Sequence, residues 1–326
     1  MNELIINGNN NNILRNLPST HFIRTFLDLK KSKSKYTAIS YERDIKDFFG
    51  VDNIESITLD HIRMVNIFHV QNYILSMQDK GYSSASIARK ISSLSALYKW
   101  LMKYEDNYSD MRLIKFNPFA NVKDEKPTIT NKTTEFLTED ETRELLASID
   151  TSTVIGKRNK AIMALAFTTA LRKSEMINIK LKNITTYDRY DVIEVTRKGN
   201  KKDMVKIQPK VKELIEEYLN ATNRTLKKDA ESYLFVGHST NNLNGKKLDP
   251  STLNYMMDKI AKNAGIDKHL KVHSTRHSAI TIAITGGATI EKVREFAAHR
   301  SISTTNRYIH SIDKLKDNPG DNMSIL

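Results

Sequence analysis

Apolar residues along most of this chain recur at the three- and four-residue spacing of amphipathic helices. Residues 1–18 are the exception and read as a flexible tail, because the four consecutive asparagines at 9–12 offer no apolar periodicity. From Ser19 the spacing turns helical: Phe22, Ile23, Phe26 and Leu27 mark one helix, and Ile39, Ile45, Phe48 and Phe49 a second. A third helix is expected over residues 59–79, stopping at Lys80-Gly81. A fourth, over 83–104, carries Ile87, Ile91, Leu94, Leu97, Tyr98 and Leu101 on one side. These elements predict an all-helical domain over residues 19–116. Residues 117–134, with Pro118 and Pro127 among mixed charges, Thr and Asn, have the composition of an inter-domain linker.

The second half begins with a capping box, Thr138-x-x-Glu141, ahead of Leu145 and Leu146. Residues 157–181 are apolar in the middle, the pattern of a buried core helix followed by a turn. Then the period changes. Ile193 and Val195 alternate with polar residues, Lys198-Gly199-Asn200-Lys201 makes a turn, and Val205 and Ile207 alternate again. That predicts a β-hairpin with a basic tip over 191–208. From 210 to 310 the pattern is again mostly helical. The expected fold class is therefore mainly α with a small antiparallel β-sheet (α+β), the sheet lying in a second domain over residues 135–311. Residues 312–326 form a C-terminal tail.

Composition narrows the function classes. A chain of 326 residues exceeds the ~250–300 at which single cores stop growing, in keeping with two domains. The absence of cysteine excludes a disulfide scaffold, a thiol nucleophile and any cysteine-ligated metal. No apolar run approaches the ~20 residues that span a bilayer, and the polar, Asn-rich start is not a signal peptide. A soluble, cytoplasmic protein without a membrane partner is expected. The 51 Lys+Arg against 38 Asp+Glu, a net charge of +13, favour a polyanionic partner, DNA or RNA first. Lys-, Asn- and Ile-rich usage also accompanies AT-rich genomes, so charge alone does not decide. Lys33, Lys35, Arg43, Arg89, Lys90, Lys99 and Lys103 are read as surface cations of the helical domain. All of these but Lys103, together with Lys201 at the hairpin tip, are candidate DNA contacts.

Five segments carry candidate chemistry: Thr168-Thr169-Ala170-Leu171-Arg172-Lys173-Ser174-Glu175, the tip Arg197-Lys198-Gly199-Asn200-Lys201, His273-Ser274-Thr275-Arg276-His277, Ala298-His299, and Arg307-Tyr308. Each has an ordinary reading. An Arg at a helix end serves the dipole, a basic turn is solvated, and one of 13 tyrosines is most often a core-edge residue. Their order and spacing change this. The chain resembles the tyrosine recombinase (phage integrase) family, Xer-like or from a small mobile element. The family's helix-end Arg falls on Arg172 and its hairpin Lys on Lys198. Its H-x-x-R-H falls on His273, Arg276 and His277, and its late His and tyrosine fall on His299 and Tyr308. The resemblance covers residues 19–311. Ala298 stands where the family usually has Gly, and Thr275 where it usually has an apolar residue.

The resemblance implies a site-specific DNA recombinase that cleaves and rejoins strands through a 3′-phosphotyrosyl intermediate. It would integrate or excise a mobile element, or resolve DNA dimers. Phosphodiester chemistry asks for the same groups. Two guanidiniums, Arg172 and Arg276, can clamp the non-bridging oxygens bidentately. Tyr308 must lose a phenolic proton from a pKa near ~10, for which His273 is the better acid/base candidate. Lys198 can protonate the leaving 5′ oxygen, and His299 can hydrogen-bond the phosphate. No metal or nucleotide cofactor is needed, because the covalent link stores the bond energy. The implied partners are double-stranded DNA with specific core sites and further copies of the chain, a tetramer on two sites, with an accessory protein undetermined. The C-terminal tail is expected to dock on a neighbouring protomer. The rival readings are a type IB topoisomerase-like relaxing enzyme and a non-catalytic DNA-binding regulator on the same scaffold.

Overall fold

The structure, a computed structural model, describes residues 21–104, 113–120, 122, 135–197, 199–238, 245–306 and 308. The tails read at 1–18 and 312–326, and Lys198, lie outside the described residues. The chain divides into two compact units, one within Met1–Lys132 and one within Thr133–Leu326.

The first unit is helical: α1 Phe22–Lys31, α2 Lys35–Phe49, α3 Leu59–Met64, α4 Ile67–Asp79 and α5 Ser84–Leu101. Short polar side chains start these helices by accepting the otherwise unpaired first-turn amides: Ser34 for α2, Thr58 for α3 and Ser83 for α5. Gly50, at φ 64°, closes α2 in the left-handed conformation. Where the pattern predicts one helix over 59–79 there are two. Val65 is extended, and the Asn66 side chain accepts from the amides of both Phe68 and His69, so a local cap restarts the chain as α4. The core is built from Phe26, Ile45, Ile62, Ile74, Ile91, Leu94 and Tyr98. Phe119 and Val122 belong to it, and Asn117 Nδ2 donates to Ser95 O at 3.1 Å. The start of the segment read as a linker is thus core of this unit.

Two of the expected surface cations are engaged in a buried ion network. Asp44 is fully buried on α2 and holds the Arg89 guanidinium through both oxygens, with Ser93 Oγ donating at 2.8 Å. Lys90 is buried too, its Nζ 2.5 Å from Asp47 Oδ2. Reading Lys90 as a surface cation is therefore corrected: it ties α5 to α2. Lys33, Lys35, Arg43, Lys99 and Lys103 are exposed, and Arg89 keeps 41% of its side chain in solvent.

In the second unit α6 (Glu139–Ala147) starts with the expected capping box, Thr138 Oγ1 accepting from the Glu141 amide and Glu141 Oε2 from the Thr138 amide. The central element is α7, Val154–Thr169, apolar on all sides over Ala161–Phe167 and packed between α9 (Pro209–Ala221) and α11 (Val272–Thr285). Gly156 is required here, since a Cβ would meet the Asp150 carbonyl oxygen at 1.7 Å. The helix pattern seen over 157–181 is broken: Ala170 turns left-handed at φ 49°, and a short α8, Lys173–Met176, follows. The expected hairpin is β2 (Tyr190–Arg197) and β3 (Lys201–Lys206), with Arg197 paired to Lys201 and Val195 to Asp203. A further strand, β1 (Ile184–Tyr187), pairs antiparallel with β2, giving the order β1-β2-β3. Beyond the sheet lie α9, α10 (Pro250–Asn263), α11 and α12 (Ile290–Phe296). No helix among the described residues is long and apolar enough to cross a membrane.

Candidate active site

Four stretches of the second unit, far apart in sequence, meet at the ends of α7 and α12. On α11, His273, Arg276 and His277 fall at i, i+3 and i+4 and so share a face. Arg276 is buried. Its Nη1 donates to Ala170 O at 2.5 Å, at the end of α7, and its Nη2 donates to Ala297 O, at the end of α12. Helix C-termini leave carbonyls without intrahelical partners, and two of these fix the guanidinium. Burial, reinforced by the Arg172 charge, lowers Arg276 to about 10, so it stays a cation at neutral pH.

Arg172 caps α8 rather than ending α7. Its amide donates to Glu175 Oε2 at 2.8 Å, its Nη1 to Glu175 Oε1 at 2.9 Å, and its Nη2 to Ala298 O at 3.4 Å. Glu175 is buried, and its Oε2 also receives Arg197 Nη1 at 2.7 Å. Burial works against the charge of Glu175, but the Arg172 amide and guanidinium and the Arg197 charge outweigh it and hold the carboxyl below its ordinary range.

Ala298 adopts φ 47°, the left-handed region that glycine occupies most easily, which accounts for the residue type usual at this position. The turn lets the His299 amide donate back to Arg294 O at 3.0 Å and brings the His299 ring into the site. His299 Nδ1 lies 3.0 Å from the Oγ1 of the buried Thr305, so Nε2 is the nitrogen left for a ligand. The Tyr308 ring packs on a small cluster of Ala170, Ala279, Ile280, Val293 and Ala297. It lies 5.0 Å from the His277 ring and 6.1 Å, nearly parallel, from that of His299. His273 is exposed and meets His277 edge-on at 4.9 Å. Burial, followed by neighbouring positive charge, pushes His277 and His299 down to about 4 and His273 below its ordinary value. At neutral pH the first two are uncharged imidazoles. The other unusual residue, Thr275, is buried with its hydroxyl donating to Val272 O at 2.7 Å, which removes the penalty of a polar atom there.

The structure thus brings together Arg172, His273, Arg276, His299 and Tyr308. Lys198 falls outside the described residues, while the residues on either side of it are described. Gly199 and Asn200 are left-handed at φ 87° and 59°, and a Cβ on Gly199 would come 3.6 Å from Arg300 Nη2, next to His299. Lys201 is exposed at the start of β3. Sequence reasoning did not single out Glu175 or Arg197 for their own contacts, nor His277 as the imidazole against Tyr308. The i+4 spacing from His273 was the available signal. Among the described residues no three His, Asp or Glu side chains could hold a metal ion.

Residues 135–314 match the phage integrase family, and residues 23–105 match its N-terminal SAM-like domain. The chain belongs to the phage integrase family of tyrosine recombinases. It is 30% identical over 288 residues to tyrosine recombinase XerC of Anoxybacillus flavithermus and, over the same length, to XerD of Halalkalibacterium halodurans. Each alignment covers 87% of this chain and 90% of the relative. Among solved structures, the XerH recombinase in a post-cleavage complex with its difH substrate shares the fold at a TM-score of 0.65. It is 20% identical, over 84% of this chain and 76% of XerH. The Tn1549 transposon integrase on circular-intermediate DNA does so at 0.64, with 17% identity over 89% and 95% of the two chains. This recombinase is accordingly an enzyme of site-specific DNA strand breakage and rejoining, acting through a tyrosine.

Proposed function

We propose that this recombinase cuts specific core sites in double-stranded DNA by attack of Tyr308 Oη on the scissile phosphate. The P–O5′ bond breaks, the 3′ phosphate stays on the tyrosine, and a 5′ hydroxyl departs. Arg172 and Arg276 hold the non-bridging oxygens as charge builds on them, in general the largest catalytic contribution. His299 Nε2 donates to the same phosphate. The phenolic proton leaves through the neutral imidazoles of α11, His273 being the one open to solvent. Lys198, on the hairpin turn, gives a proton to the leaving oxygen. Attack by a 5′ hydroxyl from a second duplex reverses the steps and rejoins the strand. Four protomers on two sites carry out the exchange in the cytoplasm, for a mobile element or for resolving DNA dimers, with Lys33, Lys35, Arg43, Arg89, Lys99 and Lys201 as phosphate contacts.

The observation that carries this reading is that two guanidiniums held by the helix-end carbonyls of Ala297 and Ala298 share a site with one half-buried tyrosine, whose ring lies against His277 and His299, with His273 edge-on to His277. The test is covalent capture. A nicked duplex, its core sequence selected from a random pool by wild-type protein, is incubated with Tyr308→Phe, which keeps the ring and loses the nucleophile. Wild type gives a denaturant-resistant protein–DNA adduct and the variant binds without forming one. An adduct from Tyr308→Phe overturns the assignment.

A further inference from the structure

We propose that Arg197 is a positioning residue that fastens the base of the β2–β3 turn to the Arg172 turn and so sets where Lys198 meets the leaving oxygen. The inference rests on the reading of Lys198 as the proton donor.

Arg197 is the last residue of β2 and the residue immediately before Lys198. Only 9% of its side chain is exposed. A buried guanidinium needs its planar fork of donors matched, and two carboxylates from different elements match it. Nη1 donates to Glu175 Oε2 on α8 at 2.7 Å, and Nε donates to Asp203 Oδ2 on β3 at 2.9 Å. Arg197 therefore joins both strands of the hairpin to α8. Glu175 has its second oxygen on Arg172 Nη1 at 2.9 Å, so one buried carboxylate spans the phosphate clamp and the hairpin.

The geometry of the turn makes this anchor effective. Arg197 and Lys201 are paired across the strands, leaving only residues 198–200 to reverse the chain, and Gly199 and Asn200 do so with left-handed backbones. Consecutive Cα atoms stand ~3.8 Å apart, so fixing residue 197 confines where the next residue of the chain can begin. A Lys at 197 could supply a charge but not two directed donors. Without Arg197, Glu175 still pairs with Arg172, so the phosphate clamp persists while the turn loses its tie.

The loss should therefore fall on leaving-group protonation alone. The probe is the captured core duplex prepared in two forms, with the ordinary 5′ bridging oxygen and with sulfur in its place. In the first, the P–O5′ bond breaks and O5′ takes a proton. In the second, the P–S bond breaks and the thiolate leaves with no proton, since a thiol is far more acidic than an alcohol. Arg197→Met should cleave the oxygen substrate about 10- to 100-fold more slowly than wild type, a share of the ~10²–10⁴ that a positioned acid supplies. On the sulfur substrate it should come within about threefold, a recovery set against the same figure. Lys198→Ala shows the larger version of the same recovery. Arg172→Lys stays slow on both.

If Lys198→Ala recovers on sulfur but Arg197→Met is either unimpaired on oxygen or slow on both, the positioning role is overturned while the acid reading stands. If Lys198→Ala does not recover, both fall. Should Arg197→Met unfold, Asp203→Asn decides, because its partly exposed side chain leaves the Glu175 pair intact. A selective, sulfur-rescued loss supports the role, and an unchanged rate on both substrates overturns it.

Discussion

Arg172 and Arg276 carry the same charge but are held differently. Arg276 is buried with both terminal nitrogens already donating to carbonyls, whereas 37% of the Arg172 side chain is exposed and one nitrogen rests on a long 3.4 Å contact. Arg172→Lys should therefore fold and bind DNA but cleave some ~10²–10³-fold more slowly, the usual consequence of losing one directed donor to a developing oxyanion. Single-turnover adduct formation measures it. Removing Glu175 is a different kind of change. Glu175→Gln leaves two guanidiniums facing a neutral amide, and urea unfolding of the full chain should show a loss of about 3 kcal/mol, typical of a broken buried pair. The histidines set the response to acid. His277 and His299 are held near 4 in the folded protein and return to ~6.5 on unfolding, so the unfolded chain takes up protons first. Their share of stability is whole above ~6.5 and falls away toward 4. The thermal midpoint should drop between pH 7 and pH 5, and His277→Gln should shrink that drop.

At the scale of elements, the candidate active site is assembled from helix ends. Ala170 and Ala298 each hold a left-handed backbone so that a carbonyl can turn toward an arginine. For an alanine this conformation costs ~1–2 kcal/mol, against the ~0.5–1 kcal/mol of extra chain entropy that a glycine loses. Ala298→Gly should thus raise stability by about 0.5–1 kcal/mol with cleavage retained, read from urea midpoints and adduct rates. What could be read from sequence at this scale follows from how local the signal is. Caps such as Thr138 and the two-residue period of β2 are written in neighbouring residues and were legible. The break at Val65–Asn66 was missed because a single asparagine cap interrupts an otherwise continuous apolar rhythm. Strand β1 was missed because none of its four residues is fully buried, so it shows no alternation. Lys90 was misread as exposed although it sits three residues after Ile87 and four before Leu94, in phase with the buried stripe of α5. Its partner Asp47 lies 43 residues away, and no local pattern announces such a pairing.

The whole molecule carries a net charge of +13. Its binding to DNA should weaken linearly in log–log terms as salt rises, with a slope close to the number of phosphates neutralised. Lys35→Gln, Arg43→Gln or Lys201→Gln should each lower that slope by about one if the residue contacts phosphate. Lys90→Met should leave it unchanged and instead destabilise the first unit by about 2 kcal/mol, the size of a lost charged hydrogen bond. Fluorescence anisotropy across a potassium chloride series separates the two behaviours. The candidate set Arg172, His273, Arg276, His299 and Tyr308 was named from the family's spacings alone. The buried carboxylate shared by Arg172 and Arg197, and the His277 ring on Tyr308, depend on segments that only folding brings together.

The guanidiniums whose charge adds to burial in keeping protons off His277 and His299 are in place before any DNA arrives, and in the proposed mechanism they hold a tetrahedral anion. Sulfate from a precipitation step or phosphate from a buffer is such an anion. At matched ionic strength either one should slow adduct formation more than chloride does and should raise the apparent pKa of both rings. A preparation carried through ammonium sulfate would then look less active than the protein it contains.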